Sequence, residues 1–334
     1  MKICVFGAGA IGGYLAVELA LGGHEVCVVA RGSHLSAIRQ RGLKLIIHGQ
    51  EKLARLPASD DPGDFGIQDA VICALKAHQA YESAPLFAPL LGERTSVVTA
   101  MNGIPWWYFH KSGGKFEGRA LESVDVGGRQ WNLVGPERAI GCVVDPACEV
   151  VEPGVVVHEE FNRFTLGEPD GSRSNRVVEL SEALTEAGFD APIRDNIRWN
   201  IWLKLWGNVC FNPISALTGA TLDRITQEPA LRSLCKSMML ETQAVNESLG
   251  IQIPGNMMDR RLAAAGAVVG HKMSMLQDVE RGRSMEIDAV VTVVTELGRL
   301  TGVATPLIDA VLALVQERGR ALGLYQPLGL EAAA

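Results

Sequence analysis

The chain has 334 residues, enough for two domains and a sizeable core. Its formal net charge of -7 excludes a general surface for nucleic acid or anionic membrane, so an anionic ligand has to be held by local positive charge. Its 7 cysteines are scattered, with no CxxC and no His cluster beside them, which reads as reduced, buried thiols rather than a metal site.

Residues 2–6 (KICVF) suit a buried strand, and the run stops at Gly7. Gly7, Ala8, Gly9, Ala10, Ile11 and Gly12 follow, and apolar residues then recur at helical spacing until Gly22-Gly23. That order of strand, tight turn and helix is the context in which a GxGxxG sequence cradles a dinucleotide. Gly7 would allow the bend, Gly9 the approach of a pyrophosphate, and Gly12 the packing of helix on strand. A strand starting this early leaves no room for a signal peptide, and no apolar run approaches the roughly 18 residues that span a bilayer, so a soluble cytoplasmic protein is expected.

A second strand is expected at 25–30 (EVCVVA), followed at once by Arg31. An acidic residue there would grip the ribose of NAD, whereas an arginine suits the extra phosphate of NADP, so NADPH/NADP+ is the expected cofactor. Two more buried strands, 69–75 (DAVICAL) and 95–100 (TSVVTA), each end in a polar residue, Lys76 and Asn102. In an open α/β sheet ligands lie beyond the carboxyl ends of the strands, where Gly7, Arg31, Lys76 and Asn102 would all emerge. From about 118 to 168 short β-like pieces (AIGCVVD, VVVHEE, FTLGE) are expected to extend this domain as antiparallel strands. A helix near 175–187 and a turn at Gly188 close it.

Beyond residue 195 strand signals almost vanish, and helices are expected over 196–211, 228–249, 257–280, 284–301 and 305–322. The fold class is therefore α/β, with a Rossmann-type dinucleotide-binding domain over 1–194 and an all-α substrate and catalytic domain over 195–334 that ends in a short alanine tail at 332–334. Lys204, Asn208 and Asn212 stand at i, i+4 and i+8 and form one polar stripe, which by spacing alone fits an ordinary solvated face as well as a site. Trp202, Leu203 and Trp206 beside Lys204 would partly desolvate its ammonium, which suits it to proton donation. Pro213 is expected to disturb helical geometry at Asn212. In SMLQDVERGRSMEID (274–288), Ser284 is expected to cap a helix and Glu286 to fall in its first turn, a placement that the helix dipole favours whatever the function.

Taken in order, GAGAIGG, Arg31, LKAHQ at 75–79, MNG at 101–103, WLKLWGNVCFNP at 202–213 and SMLQDVERGRSMEID resemble the ketopantoate reductase (2-dehydropantoate 2-reductase) family over essentially the whole chain. The resemblance implies an oxidoreductase of the CH–OH class that reduces ketopantoate to pantoate with NADPH, on the route to pantothenate and coenzyme A. It also implies Lys204 as general acid, Glu286 as the active-site carboxylate that helps bind substrate, and Asn208, Asn212 and Ser274 as substrate contacts, with Asn102 and Lys76 near both ligands. Met101 departs from the polar residue common before Asn-Gly, and the bulky Trp106 and Trp107 could shape the pocket floor or pack in the core. Two alternatives are a reductase of another 2-keto acid and a non-catalytic NADP-sensing regulator. Retention of Lys204 and Glu286 argues against the second. The expected partner is a small-molecule 2-keto acid, and long apolar helices near 284–320 could support a homodimer.

Overall fold

The computed structural model describes residues 1–329, so the alanine tail at 332–334 lies outside the described residues. In chain order the strands are β1 (Lys2–Phe6), β2 (Glu25–Val29), β3 (Leu43–Ile47), β4 (Gln50–Ala54), β5 (Ala58–Ser59), β6 (Ala70–Cys73), β7 (Ser96–Thr99), β8 (Ala139–Val144), β9 (Ala147–Glu152), β10 (Val155–Glu160) and β11 (Phe164–Gly167). The helices are α1 (Ala10–Leu21), α2 (Gly32–Arg41), α3 (Ala77–Ser83), α4 (Arg129–Leu133), α5 (Asn175–Glu186), α6 (Ile197–Thr218), α7 (Leu222–Gln227), α8 (Pro229–Ser248), α9 (Asn256–Ala267), α10 (Ser274–Glu280), α11 (Val293–Thr301) and α12 (Pro306–Ala321). The chain divides into two compact units. The first comprises Met1–Met101, Pro105–Ala120 and Gly127–Ile197, and the second Asn102–Ile104, Leu121–Val126 and the chain from Arg198 on.

The first unit is built on a sheet in the order β11-β8-β7-β6-β1-β2-β5. All neighbours pair in parallel except β11, which runs antiparallel to β8. The strand order reverses at β1, so its carboxyl end and that of β6 flank a topological switch point, the place where open α/β sheets bind ligands. A second sheet, β4-β3-β10-β9, packs against the other side of α1. This explains the sequence of α1, AIGGYLAVELAL, which is apolar all round and buried from Gly12 to Leu19 because it is covered on both faces. Its one charged residue, Glu18, is buried and takes Lys52 Nζ of β4 at 2.7 Å.

The short strands after 118 therefore divide differently from the sequence expectation. The β8 strand joins β7 in parallel, and β9 with β10 leaves the main sheet to pair with the 43–54 hairpin, which the sequence reading did not identify. Trp106 and Trp107 pack in the core of this unit. Trp107 is fully buried, its Nε1 donates to Thr99 Oγ1 at 3.0 Å, and it lies against Gly141 of β8, where a Cβ would approach the ring to 2.9 Å.

The second unit is helical, and it too differs in detail from the expectation. The α6 helix runs straight through Pro213 to Thr218, because Phe211, Ile214 and Ala216 around the proline are buried and their packing outweighs one lost backbone bond. The 257–280 run is broken into α9 and α10 by Val268-Val269-Gly270, with Gly270 at φ +75°. Residues 283–286 are non-helical and the helix starts at Ile287, so Ser284 lies ahead of the N-cap position and Glu286 precedes the helix instead of lying in its first turn. The reason is the buried Met285, whose N–H donates to Leu324 O at 2.9 Å and holds the segment extended.

The glycines of the first turn separate by mechanism. A Cβ on Gly12 would lie 1.9 Å from the Gly7 carbonyl oxygen, whereas one on Gly9 would meet open space. Gly12→Ala is therefore expected to destabilise the protein by about 3 kcal/mol or more, and Gly9→Ala by less than about 1 kcal/mol, in urea unfolding.

Candidate active site

The first unit carries the glycine turn at the switch point. Gly7 sits at φ +99°, and its N–H donates to Val29 O at 3.0 Å, with the Ala8 N–H on the same oxygen at 3.3 Å. These bonds turn the chain off β1 into α1. Among the described residues no side chain caps the N-terminus of α1, so the amides of its first turn are presented as an anion-binding end. Gly9 is exposed and a Cβ there would occupy open space, so backbone and ligand can meet closely. The cradle fits a pyrophosphate.

Arg31 and Lys76 emerge at the same sheet edge, after β2 and β6. Arg31 is exposed at the N-cap of α2, and no acidic side chain follows β2 there. Lys76 is the half-buried N-cap of α3. Two residues on, burial and then the Lys76 charge push the His78 imidazole down to about 4. Both effects favour a neutral ring next to a cation.

The second unit brings together residues far apart in sequence. Asn102, Asn212, Ser274 and Glu286 line one open cleft, joined by Met275, Asp278 and Val290. Lys204 Nζ donates to Asn102 Oδ1 at 2.8 Å, which places the ammonium next to this cleft. Asn208 lies one turn further along α6 and is buried, but it is not among the cleft-lining residues. Asn212, 2% exposed, uses Oδ1 to accept from Ser274 Oγ and from the Met275 N–H, both at 3.1 Å. It thereby caps α10 from another helix, and its amide NH₂ is the part suited to a ligand.

Sequence reasoning missed Asp278. Its signal was the spacing from Ser274, four residues and so one helical turn, which puts both on one face of α10. It also missed how Asn102 is held. The helix leading into α11 opens with a π-turn over Asp288–Thr292, in which the Val293 N–H bonds Asp288 O. The Ala289 carbonyl then accepts the Ile104 N–H at 2.9 Å. Gly103, at φ +86°, makes the approach possible, since a Cβ there would come within 2.0 Å of that oxygen. The π-turn itself is pinned by Asp288, whose Oδ1 accepts from Thr292 Oγ1 at 2.6 Å and from the Tyr325 hydroxyl at 2.8 Å. Burial raises the Asp288 carboxyl above its usual range, against the pull of these donors.

Known proteins resemble the chain over most of its length. Residues 3–171 match the model of the family described as "Ketopantoate reductase PanE/ApbA", and residues 196–319 that of "Ketopantoate reductase PanE/ApbA C terminal". The chain is 55% identical to a 2-dehydropantoate 2-reductase of Mesorhizobium japonicum over 309 residues, covering 92% of this chain and 94% of that one. A crystal structure from Ralstonia solanacearum MolK2, provisionally described as a ketopantoate reductase, superposes with a TM-score of 0.91 at 41% identity, covering 97% of this chain and 99% of that one. The 2-dehydropantoate 2-reductase of Geobacter metallireducens GS-15 gives 0.82 at 29% identity, covering 95% and 100%.

The contact at Gly103 carries a direct test. Gly103→Ala is expected to cost about 2–3 kcal/mol in urea unfolding, from the clash and the left-handed backbone together. Because it pushes Asn102 away from Lys204, turnover at saturating substrate should also fall.

Proposed function

The chain belongs to the ketopantoate reductase (2-dehydropantoate 2-reductase) family, and from that premise we propose that it is an NADPH-dependent oxidoreductase reducing ketopantoate to pantoate in the cytoplasm, on the route to pantothenate. Residues 1–194 are assigned to cofactor binding and 195–334 to substrate and catalysis, except that Asn102–Ile104 belong to the second unit and serve the catalytic side. The observation that carries the reading is the 2.8 Å hydrogen bond from Lys204 to Asn102 beside a cleft lined by Asn212, Ser274 and Glu286.

When bound, the reduced nicotinamide supplies the hydride. Residues 7–12 hold the pyrophosphate through backbone amides, and Arg31 pairs with the 2′-phosphate. Lys76, at the same edge as the glycine turn, adds a second cation to that anionic ligand.

In the cleft, reduction of a ketone builds negative charge on its oxygen. The Lys204 ammonium, oriented by Asn102, stabilises that charge and delivers the proton that completes the alcohol. Glu286 accepts a hydrogen bond from a substrate hydroxyl. The amides of Asn102 and Asn212 and the Ser274 hydroxyl orient the substrate without adding charge that would repel its carboxylate, while Asn208, which does not line the cleft, is assigned no contact there. A net charge of -7 makes this local arrangement necessary, since the protein as a whole repels anions.

The reading is tested by steady-state kinetics over a panel of 2-keto acids with NADPH and NADH. Ketopantoate with NADPH should give the highest kcat/KM, and a flat panel would overturn the assignment. Lys204→Ala should lower kcat by roughly 10²- to 10⁴-fold with the NADPH Kd unchanged, as expected when an interaction is made in the transition state. Arg31→Ala should weaken NADPH by about tenfold or more and spare NADH. Equal loss with both cofactors would remove the phosphate contact.

A further inference from the structure

The glycine turn has one carbonyl whose partner lies outside it. The Ala8 oxygen is approached by Nε2 of His34, in the first turn of α2, at 2.6 Å. The other ring nitrogen, Nδ1, accepts the N–H of Gly154 at 3.0 Å, from the turn connecting β9 and β10. A nitrogen that accepts carries no proton, so the ring is the neutral Nε2–H tautomer and Nε2 donates to Ala8. Burial lowers the basicity of this imidazole, in keeping with a neutral ring.

Geometry turns this bond into a constraint on the cofactor site. The Ala8–Gly9 peptide is planar and trans, so its C=O and N–H point in opposite directions. With the carbonyl held toward α2, the Gly9 N–H faces the open side of the turn, where Gly9 offers no Cβ. Gly9 has little steric resistance to rotation of that peptide, and the rotated form would aim a carbonyl oxygen at the phosphates.

We infer that His34 is a positioning residue for the dinucleotide: its Nε2–H locks the Ala8–Gly9 peptide with the amide toward the pyrophosphate, and its Nδ1 borrows the rigidity of the β9–β10 turn to do so. The inference rests on the reading of the turn as an NADPH site. It goes beyond that reading because it places control of pyrophosphate affinity on a side chain that touches no ligand. His34 lies three residues after Arg31, so one helix start carries both the 2′-phosphate contact and the lock on the turn.

The test uses two substitutions that divide the ring's functions. His34→Asn keeps an acceptor near Nδ1 for Gly154 and has no donor that reaches Ala8, whereas His34→Gln places an amide NH₂ near Nε2. Binding of NADPH and of adenosine 2′-monophosphate, which lacks the pyrophosphate, is measured by titration calorimetry on the full-length protein, with kcat at saturating NADPH alongside.

The Asn variant should weaken NADPH by about tenfold, the worth of one hydrogen bond, and leave the monophosphate Kd and kcat within about twofold. The Gln variant should recover most of the loss. Unchanged NADPH binding in the Asn variant, equal weakening of both ligands, or no recovery with Gln would each overturn the lock. Failure of the unsubstituted protein to bind NADPH would instead overturn the cofactor reading on which it stands.

Discussion

The arrangement of the candidate site in the helical unit depends on one backbone carbonyl, that of Ala289. In a regular α-helix the amide of residue 293 would consume it. The π-turn sends the Val293 N–H to Asp288 instead, and the Ala289 oxygen becomes an outside acceptor for Ile104. Three consequences follow from this single displacement. Asn102 is delivered to Lys204, Glu286 is placed just ahead of the turn, and Gly103 becomes irreplaceable at the contact. A wide turn is inherently less stable than α-helix, which accounts for the buried Asp288 and its Thr292 and Tyr325 donors. Gln316 in turn donates to the Tyr325 hydroxyl at 3.0 Å, so α12 and the segment after it brace the same turn.

The first unit solves a different problem with the same economy. A helix that begins directly at a ligand cannot be capped by a side chain, since the cap would fill the ligand's place. The stability of α1 has to come from burial, and it does, because the main sheet covers one face and β3, β4, β9 and β10 the other. Gly13 marks how close the second sheet comes, a Cβ there lying 2.6 Å from Val156. The second sheet therefore acts on the glycine turn through α1, which it packs against. It supports the helix whose open end would meet the anion.

How much of this was legible in the sequence follows from where each signal is written. The glycine turn was readable because its constraints are local, with strand, bend and helix contiguous in 2–21. The second sheet was not, because its strands alternate weakly and two of them lie a hundred residues from their partners, β10 pairing with β3. The apolar character of α1 was the available clue, since a helix with only one open face would have shown a polar stripe. Glu286 was expected in a helical first turn, and the expectation failed because Met285 pairs with Leu324, a contact between positions that no local pattern relates. Ser274 and Glu286 could be named from family resemblance, yet the cleft that gathers them with Asp278 is a tertiary fact.

Pro213 shows why local rules yield where a site requires it. Lys204 and Asn212 are eight residues apart, about 12 Å along a helix, and share a face only if α6 stays regular over that length. A helix ending before the proline would leave Asn212 without a fixed direction. In the continuous helix, Asn212 Oδ1 reaches Ser274 and the Met275 amide and so sets α10, with Asp278 one turn further on, at the edge of the same cleft. The backbone bond that Pro213 cannot make is offset by buried Phe211, Ile214 and Ala216 on either side. The polar stripe of α6 is thus a structural cap at one end and an oriented ammonium at the other, and only a helix that tolerates its proline can supply both.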